Sequence, residues 1–242
     1  MSLIMTVYVR EGLVMAADSR LTLNYPRVLP NGINQLLSIT SSDSAKKLFL
    51  APNNVGIATC GVADIGGVPV AGFVESFIVE KLKGNQLDVV KVCDELKVYF
   101  QSLSVLPGTI FQVSGYISTD DRLEQAVFNV DPAPGTIVRM NISGQQGACW
   151  NGEVDVLQRL YNNVLLSQPG TSPPVQMPSF GIPFEFFTLQ DAIDFAVSGI
   201  RSTIETLRFQ QREKTVGGPI DVLIILPDSS QWVAQKVIAI QN

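Results

Sequence analysis

Leu3 to Val9 is rich in β-branched and long apolar residues, Leu13 to Ala17 is a continuous apolar run, and Glu11-Gly12 lies between them. Apolar runs this short, split by a tight-turn signal, predict a β-hairpin buried on both faces. Leu21 to Ser44 is polar and turn-rich, with Pro26, Pro30 and Asn31-Gly32, and reads as a long exposed loop. Lys46 to Leu50 and Val55 to Cys60 read as a second hairpin around Pro52-Asn53-Asn54. Asp64 to Lys83 is apolar on more than one face and predicts a buried helix, with Pro69 tolerated near its start. Leu87 to Leu103 carries Val89, Val92, Cys93, Leu96 and Phe100 at helical spacing and predicts a second helix.

Three strands should follow, Thr109 to Ile117, Leu123 to Val130 and Thr136 to Ile142, with turns at Asp120-Asp121 and at Pro132 to Gly135. After the glycine-rich 143–147 link, Asn151 to Leu166 reads as an amphipathic helix. Five prolines make Ser167 to Phe187 an extended loop. Thr188 begins a capping-box spacing with Asp191, which predicts a helix to about Gln210. Arg212 to Gly218 is a polar loop, and Pro219 to Leu226 with Trp232 to Ile240 predict a closing hairpin.

Strands in runs alternating with helices in runs argue for α+β rather than βαβ repeats. The expected architecture is a four-layer αββα sandwich of two antiparallel sheets, in one domain spanning 1–242. The 242 residues are 46% hydrophobic and 16% charged, which implies much buried surface and favours a homo-oligomer. The net charge of −5 and the lack of a Lys/Arg cluster argue against a nucleic-acid partner. No apolar run approaches the ~20 residues a membrane helix needs. The N-terminus lacks a signal-peptide pattern, so the expected location is cytoplasmic.

Chemistry is narrowed most by one count: there is no histidine. That removes Ser-His-Asp and Cys-His catalysis and most zinc sites. Cys60, Cys93 and Cys149 have no metal spacing and read as core thiols, so neither a metal nor another cofactor is expected. Any hydrolytic base must be a carboxylate, a lysine or an N-terminal amine. Removal of Met1, usual before a small residue, would leave Ser2 with a hydroxyl and an α-amine of ordinary pKa about 7.7–8.0 on one backbone unit. Lys47 with Asp18 is also readable as an ordinary ion pair, and Gly61 as a plain strand-to-helix turn.

Three segments bear on the choice: Gly12 to Thr22 (GLVMAADSRLT), Lys46-Lys47-Leu48, and Cys60 to Asp64 (CGVAD). They resemble the hairpin, lysine strand and glycine turn of the N-terminal nucleophile (Ntn) hydrolases, specifically proteasome β-type subunits. Thr215 to Leu223 resembles the corresponding region of the bacterial proteasome-like proteins Anbu and HslV. The resemblance covers most of the chain. It implies Ser2 as nucleophile, Lys47 as catalytic lysine, Asp18 as its partner, Gly61 as oxyanion-hole amide and Glu213 as an orienting carboxylate. It also implies Arg20 as a supporting clamp and a modest apolar substrate pocket at Leu21, Thr22, Ala45, Thr59 and Ala63.

The chain departs from that pattern in its Ser nucleophile, in the long 23–44 excursion, and near Ala148, where the family carries a serine. The implied activity is peptide or amide hydrolysis through an acyl-enzyme on Ser2, with a peptide or protein substrate and a ring-like homo-oligomer. The alternatives are a catalytically silent assembly protein on the same fold and a non-proteolytic Ntn amidase.

Overall fold

Residues 2–29, 32–85, 87–119, 122–167, 170, 173–178 and 180–236 are described in a computed structural model. Met1, the Asp120-Asp121 turn, Pro169 and the expected strand residues beyond Lys236 lie outside them, as do Pro30 and Asn31 of the expected loop.

The leading apolar runs form β1 (Leu3–Val9) and β2 (Gly12–Ala17), and every residue of both is buried. Later strands cover both edges of this hairpin. β12 (Gly147–Gly152) pairs with β1, and β15 (Asp221–Ile225) pairs with β2 and then with β16 (Ser230–Ala234). The sheet order is β12-β1-β2-β15-β16, all antiparallel. A second antiparallel sheet runs β11-β10-β9-β6-β5. Its strands are β5 (Leu48–Ala51), β6 (Val55–Gly61), β9 (Thr109–Thr119), β10 (Arg122–Asp131) and β11 (Thr136–Arg139).

Alternation along the strands sorts side chains between faces. Ile4 and Tyr8 of β1 join Leu48, Ala58, Cys60 and Val127 of the second sheet in one apolar cluster. Leu3, Met5, Val7 and Val9 point the other way, against Ala192, Ala196 and Ile200 of α4 (Leu189–Phe209) and Leu157 of α3 (Asp155–Tyr161). The opposite face of the second sheet packs Phe49, Ile57 and Phe111 on α1 (Val70–Phe77) and α2 (Val89–Gln101). The fold is α+β, with several antiparallel sheets and four α-helices among the described residues.

The Thr188–Asp191 capping box forms as the spacing predicts and starts α4 at Leu189. Four expectations need correction. The 21–44 stretch is not a loop. It is a hairpin, β3 (Leu21–Val28) with β4 (Asn34–Ser42), which among the described residues pairs only to itself. The helix expected from Asp64 starts at Val70, because β7 (Asp64–Ile65) and β8 (Val68–Pro69) first make a small hairpin around Gly66-Gly67. The helix expected over Asn151 to Leu166 shrinks to α3, because its beginning is the end of β12. The expected end of that helix is instead β13 (Leu165–Leu166), which pairs with β14 (Val175–Gln176) inside the proline-rich stretch, where a 3-10 turn also spans Phe184–Phe186.

No described helix is long and apolar enough to cross a membrane. Cys60, Cys93 and Cys149 are all buried and free, and burial pushes the Cys60 and Cys149 thiols up to about 12.

Candidate active site

The site is built where the end of β2 meets the starts of β1 and β5. Asp18 follows β2 directly and is fully buried. Its Oδ1 accepts from Leu3 N at 2.9 Å and from Lys47 Nζ at 2.8 Å. Its Oδ2 accepts from Arg20 N and Gly217 N, both at 3.0 Å. Four donors fill the usual lone-pair capacity of a carboxylate, so this buried charge is fully solvated by protein.

Lys47 immediately precedes β5, and Thr59 N donates to its carbonyl at 2.9 Å, which fixes it against β6. Its side chain is only 7% exposed. Burial pulls the Lys47 pKa below the ordinary lysine value, while Asp18 opposes that by its charge and hydrogen bond. Lys47 therefore gives up its proton more readily than a free lysine.

Ser2, Lys47 and Gly61 line one cavity of about 170 Å³. Arg20, Leu21, Thr22, Ala45, Thr59 and Ala63 line it too, so every residue expected in the substrate pocket is there. Val62, Pro69, Val70 and Ala71 extend its apolar wall, and Ser42 and Lys46 also line it. The Thr22 hydroxyl is buried without a hydrogen-bond partner. Gly61 sits at φ +113°, and a Cβ there would stand 2.4 Å from the Gly108 carbonyl oxygen. Only glycine fits that turn.

Arg20 does not reach Asp18 through its side chain. Its guanidinium grips Asp43 through Nε at 2.6 Å and Nη2 at 2.8 Å, and donates to the Lys214 carbonyl at 3.3 Å. Arg20 thus ties the foot of β4 to the loop that presents Gly217, as a clamp around the site.

Two carried-over positions do not meet the others. Glu213 is exposed and is absent from the cavity wall. Ala148 pairs with Val7 on β1, five residues from Ser2 and so about 16 Å along the strand.

What lies beside Ser2 is Gly152-Glu153. Glu153 N donates to the Ser2 carbonyl at 2.8 Å. Gly152 has φ +102°, and a Cβ there would fall 1.8 Å from that same oxygen. The buried Glu153 carboxylate accepts from Thr215 Oγ1 at 2.9 Å and from Arg212 Nη1 at 3.0 Å. Sequence reasoning missed Glu153 because 151–166 reads as one helix; the glycine at 152 was the available signal. Compared with known proteins, the chain matches no family model and no curated protein.

Proposed function

We propose that the protein is a proteasome-like Ntn hydrolase, with its layers read as a four-layer αββα sandwich. In this reading it cleaves peptide or amide bonds through an acyl-enzyme on Ser2. The observation that carries the reading is the convergence of Ser2, Lys47 and Gly61 on one cavity, with Lys47 held by the buried Asp18.

With Met1 removed, the Ser2 α-amine takes the hydroxyl proton, directly or through one water, as Oγ attacks the substrate carbonyl. Lys47, as a cation, stabilises the developing alkoxide, and the Gly61 N–H binds the oxyanion, a role worth about 2.7–4 kcal/mol in comparable sites. The C–N bond then breaks. The leaving amine takes the proton from the Ser2 ammonium, and a water hydrolyses the ester. The cavity's volume and its Leu21, Ala45, Ala63 and Val70 lining suit a modest apolar side chain of the substrate.

The exposed apolar face of β3–β4 favours assembly into a homo-oligomer, as the resemblance to ring-forming proteins implies. Intact mass of the purified chain, before and after a β-lactone or epoxyketone, tests the chemistry. The expected result is loss of Met1 and a single adduct on Ser2, absent in Lys47→Ala. A retained Met1, or an unmodified Ser2, would favour the silent assembly protein instead.

A further inference from the structure

Ser2 is held from both sides by a closed circuit of hydrogen bonds that uses two buried carboxylates. On one side, Leu3 N donates to Asp18 Oδ1, and Gly217 N donates to Asp18 Oδ2. On the other, Glu153 N donates to the Ser2 carbonyl, and Thr215 Oγ1 donates to Glu153 Oε2. Thr215 and Gly217 belong to one short buried segment, so the circuit runs from Ser2 through Asp18, along 215–217, through Glu153 and back to Ser2. Arg212 neutralises Glu153 at 3.0 Å and also pairs with Asp155 at 2.9 Å, at the start of α3.

We infer that Glu153 is the positioning residue of Ser2: its carboxylate, locked by Thr215 and Arg212, fixes the backbone that holds the nucleophile over the cavity. This inference rests on the reading of Ser2 as nucleophile. The Glu153 side chain acts through its own main chain, whose N–H is the contact with Ser2. Gly152 makes that contact close, since any side chain there would collide with the Ser2 carbonyl. Glu153 does not line the cavity, and the apolar lining comes mainly from residues 21, 45, 62, 63 and 69–71. Loosening Glu153 should therefore misplace Ser2 and leave ligand capture intact. Misplacement of a reacting group by about 1 Å costs on the order of 10²-fold in rate.

The test is inactivation of the full chain by a β-lactone, followed by intact mass, with maximal inactivation rate separated from half-saturating concentration. E153A should lower the maximal rate about 10²-fold and leave the half-saturating concentration unchanged. E153Q keeps an acceptor for Thr215 and should recover at least about tenfold of that loss. T215V removes only the hydroxyl, keeps the fold if E153A does not, and should cost about tenfold in the same parameter. An unchanged rate in E153A, or in T215V where E153A does not fold, or a half-saturating concentration that rises in step with the lost rate, would overturn the role of Glu153. No Ser2 adduct on the unsubstituted chain would instead overturn the nucleophile reading, and this inference with it.

Discussion

The β1–β2 and β3–β4 hairpins are joined only by Asp18, Ser19 and Arg20, yet their surroundings are opposite. Every residue of β1 and β2 is buried, because β12 and β15 cover the two edges and apolar clusters cover the two faces. Among the described residues β3 and β4 pair only with each other, and Tyr25, Val28, Leu37 and Ile39 stand exposed on them. Residues Tyr25 and Leu37 are directly opposed, as are Leu23 and Ile39, so these four share one apolar face. Two-stranded hairpins alone are marginal in water. The second is anchored at its foot, where Arg20 grips Asp43 and Ala45 N donates to the Ser19 carbonyl. The three residues between a rigid hairpin and an unsupported one are therefore where burial changes, and Asp18 of the site is among them.

The contrast is broken most severely at its rigid side. Lys47→Met leaves Asp18 as a buried carboxylate without its cation. Removing one partner of a buried pair typically costs about 3–5 kcal/mol. Three backbone N–H donors remain on Asp18, so a loss near about 3 kcal/mol is expected in urea unfolding. A loss comparable to that of an exposed pair, under about 1 kcal/mol, would mean that the joint is wet and the contrast unfounded.

A smaller effect sharpens the same point through pH. The Lys47 pKa is lowered by burial in the folded state. Below the folded value both states carry the proton, and stability does not respond. Between that value and the ordinary lysine pKa of about 10.4, the unfolded chain holds more protons. Stability should therefore rise with pH in that window, by at most about 1.4 kcal/mol per pH unit. Urea midpoints measured across the alkaline range should show the rise, and Lys47→Met should remove it.

Next comes the helix that covers the rigid hairpin. Thr188→Ala removes the hydroxyl that accepts from Asp191 N and donates to Asp191 Oδ2, and should cost about 1 kcal/mol. Because α4 packs Ala192, Ala196 and Ile200 on β1 and β2, amide exchange of those strands should quicken, while β3–β4 should not respond.

The same contrast explains what the sequence discloses. β1 and β2 are legible because a strand buried on both faces is an unbroken apolar run. β3 and β4 are not, because Pro26 and the Ser38 to Ser42 run read as loop chemistry, and exposed strand positions such as Thr40 and Ser41 tolerate polar residues. β12 hides because Val154, Val156, Leu157 and Leu160 continue past it at helical spacing, although Gly147 and Gly152 bound the strand. Ser2, Asp18, Lys47 and Gly61 lie on or beside buried strands, and the resemblance to the Ntn hydrolases, not the local pattern, is what singles them out. Glu153 follows the misread strand, and Glu213, which the resemblance implies as an orienting carboxylate, lies exposed and off the cavity wall. The neighbourhood of Ser2 escapes local sequence pattern, because the pairing of β12 with β1 joins residues about 150 positions apart, as Leu3 with Gly152.

The smallest effect belongs to the unsupported hairpin and decides what covers it. Ile39→Thr exchanges one exposed apolar side chain for a β-branched polar one of similar strand preference. In an isolated chain it should change urea stability by no more than about 0.5 kcal/mol, because the Ile39 side chain stays exposed in the folded chain. If a second copy covers the face formed with Leu23, Tyr25 and Leu37, the same change removes buried contact area. The cost then depends on protein concentration, and sedimentation should find smaller species at a given concentration. A concentration-independent loss above about 1 kcal/mol would fit neither case. It would mean that β3–β4 packs on its own chain, and the opposition between the two hairpins would fall.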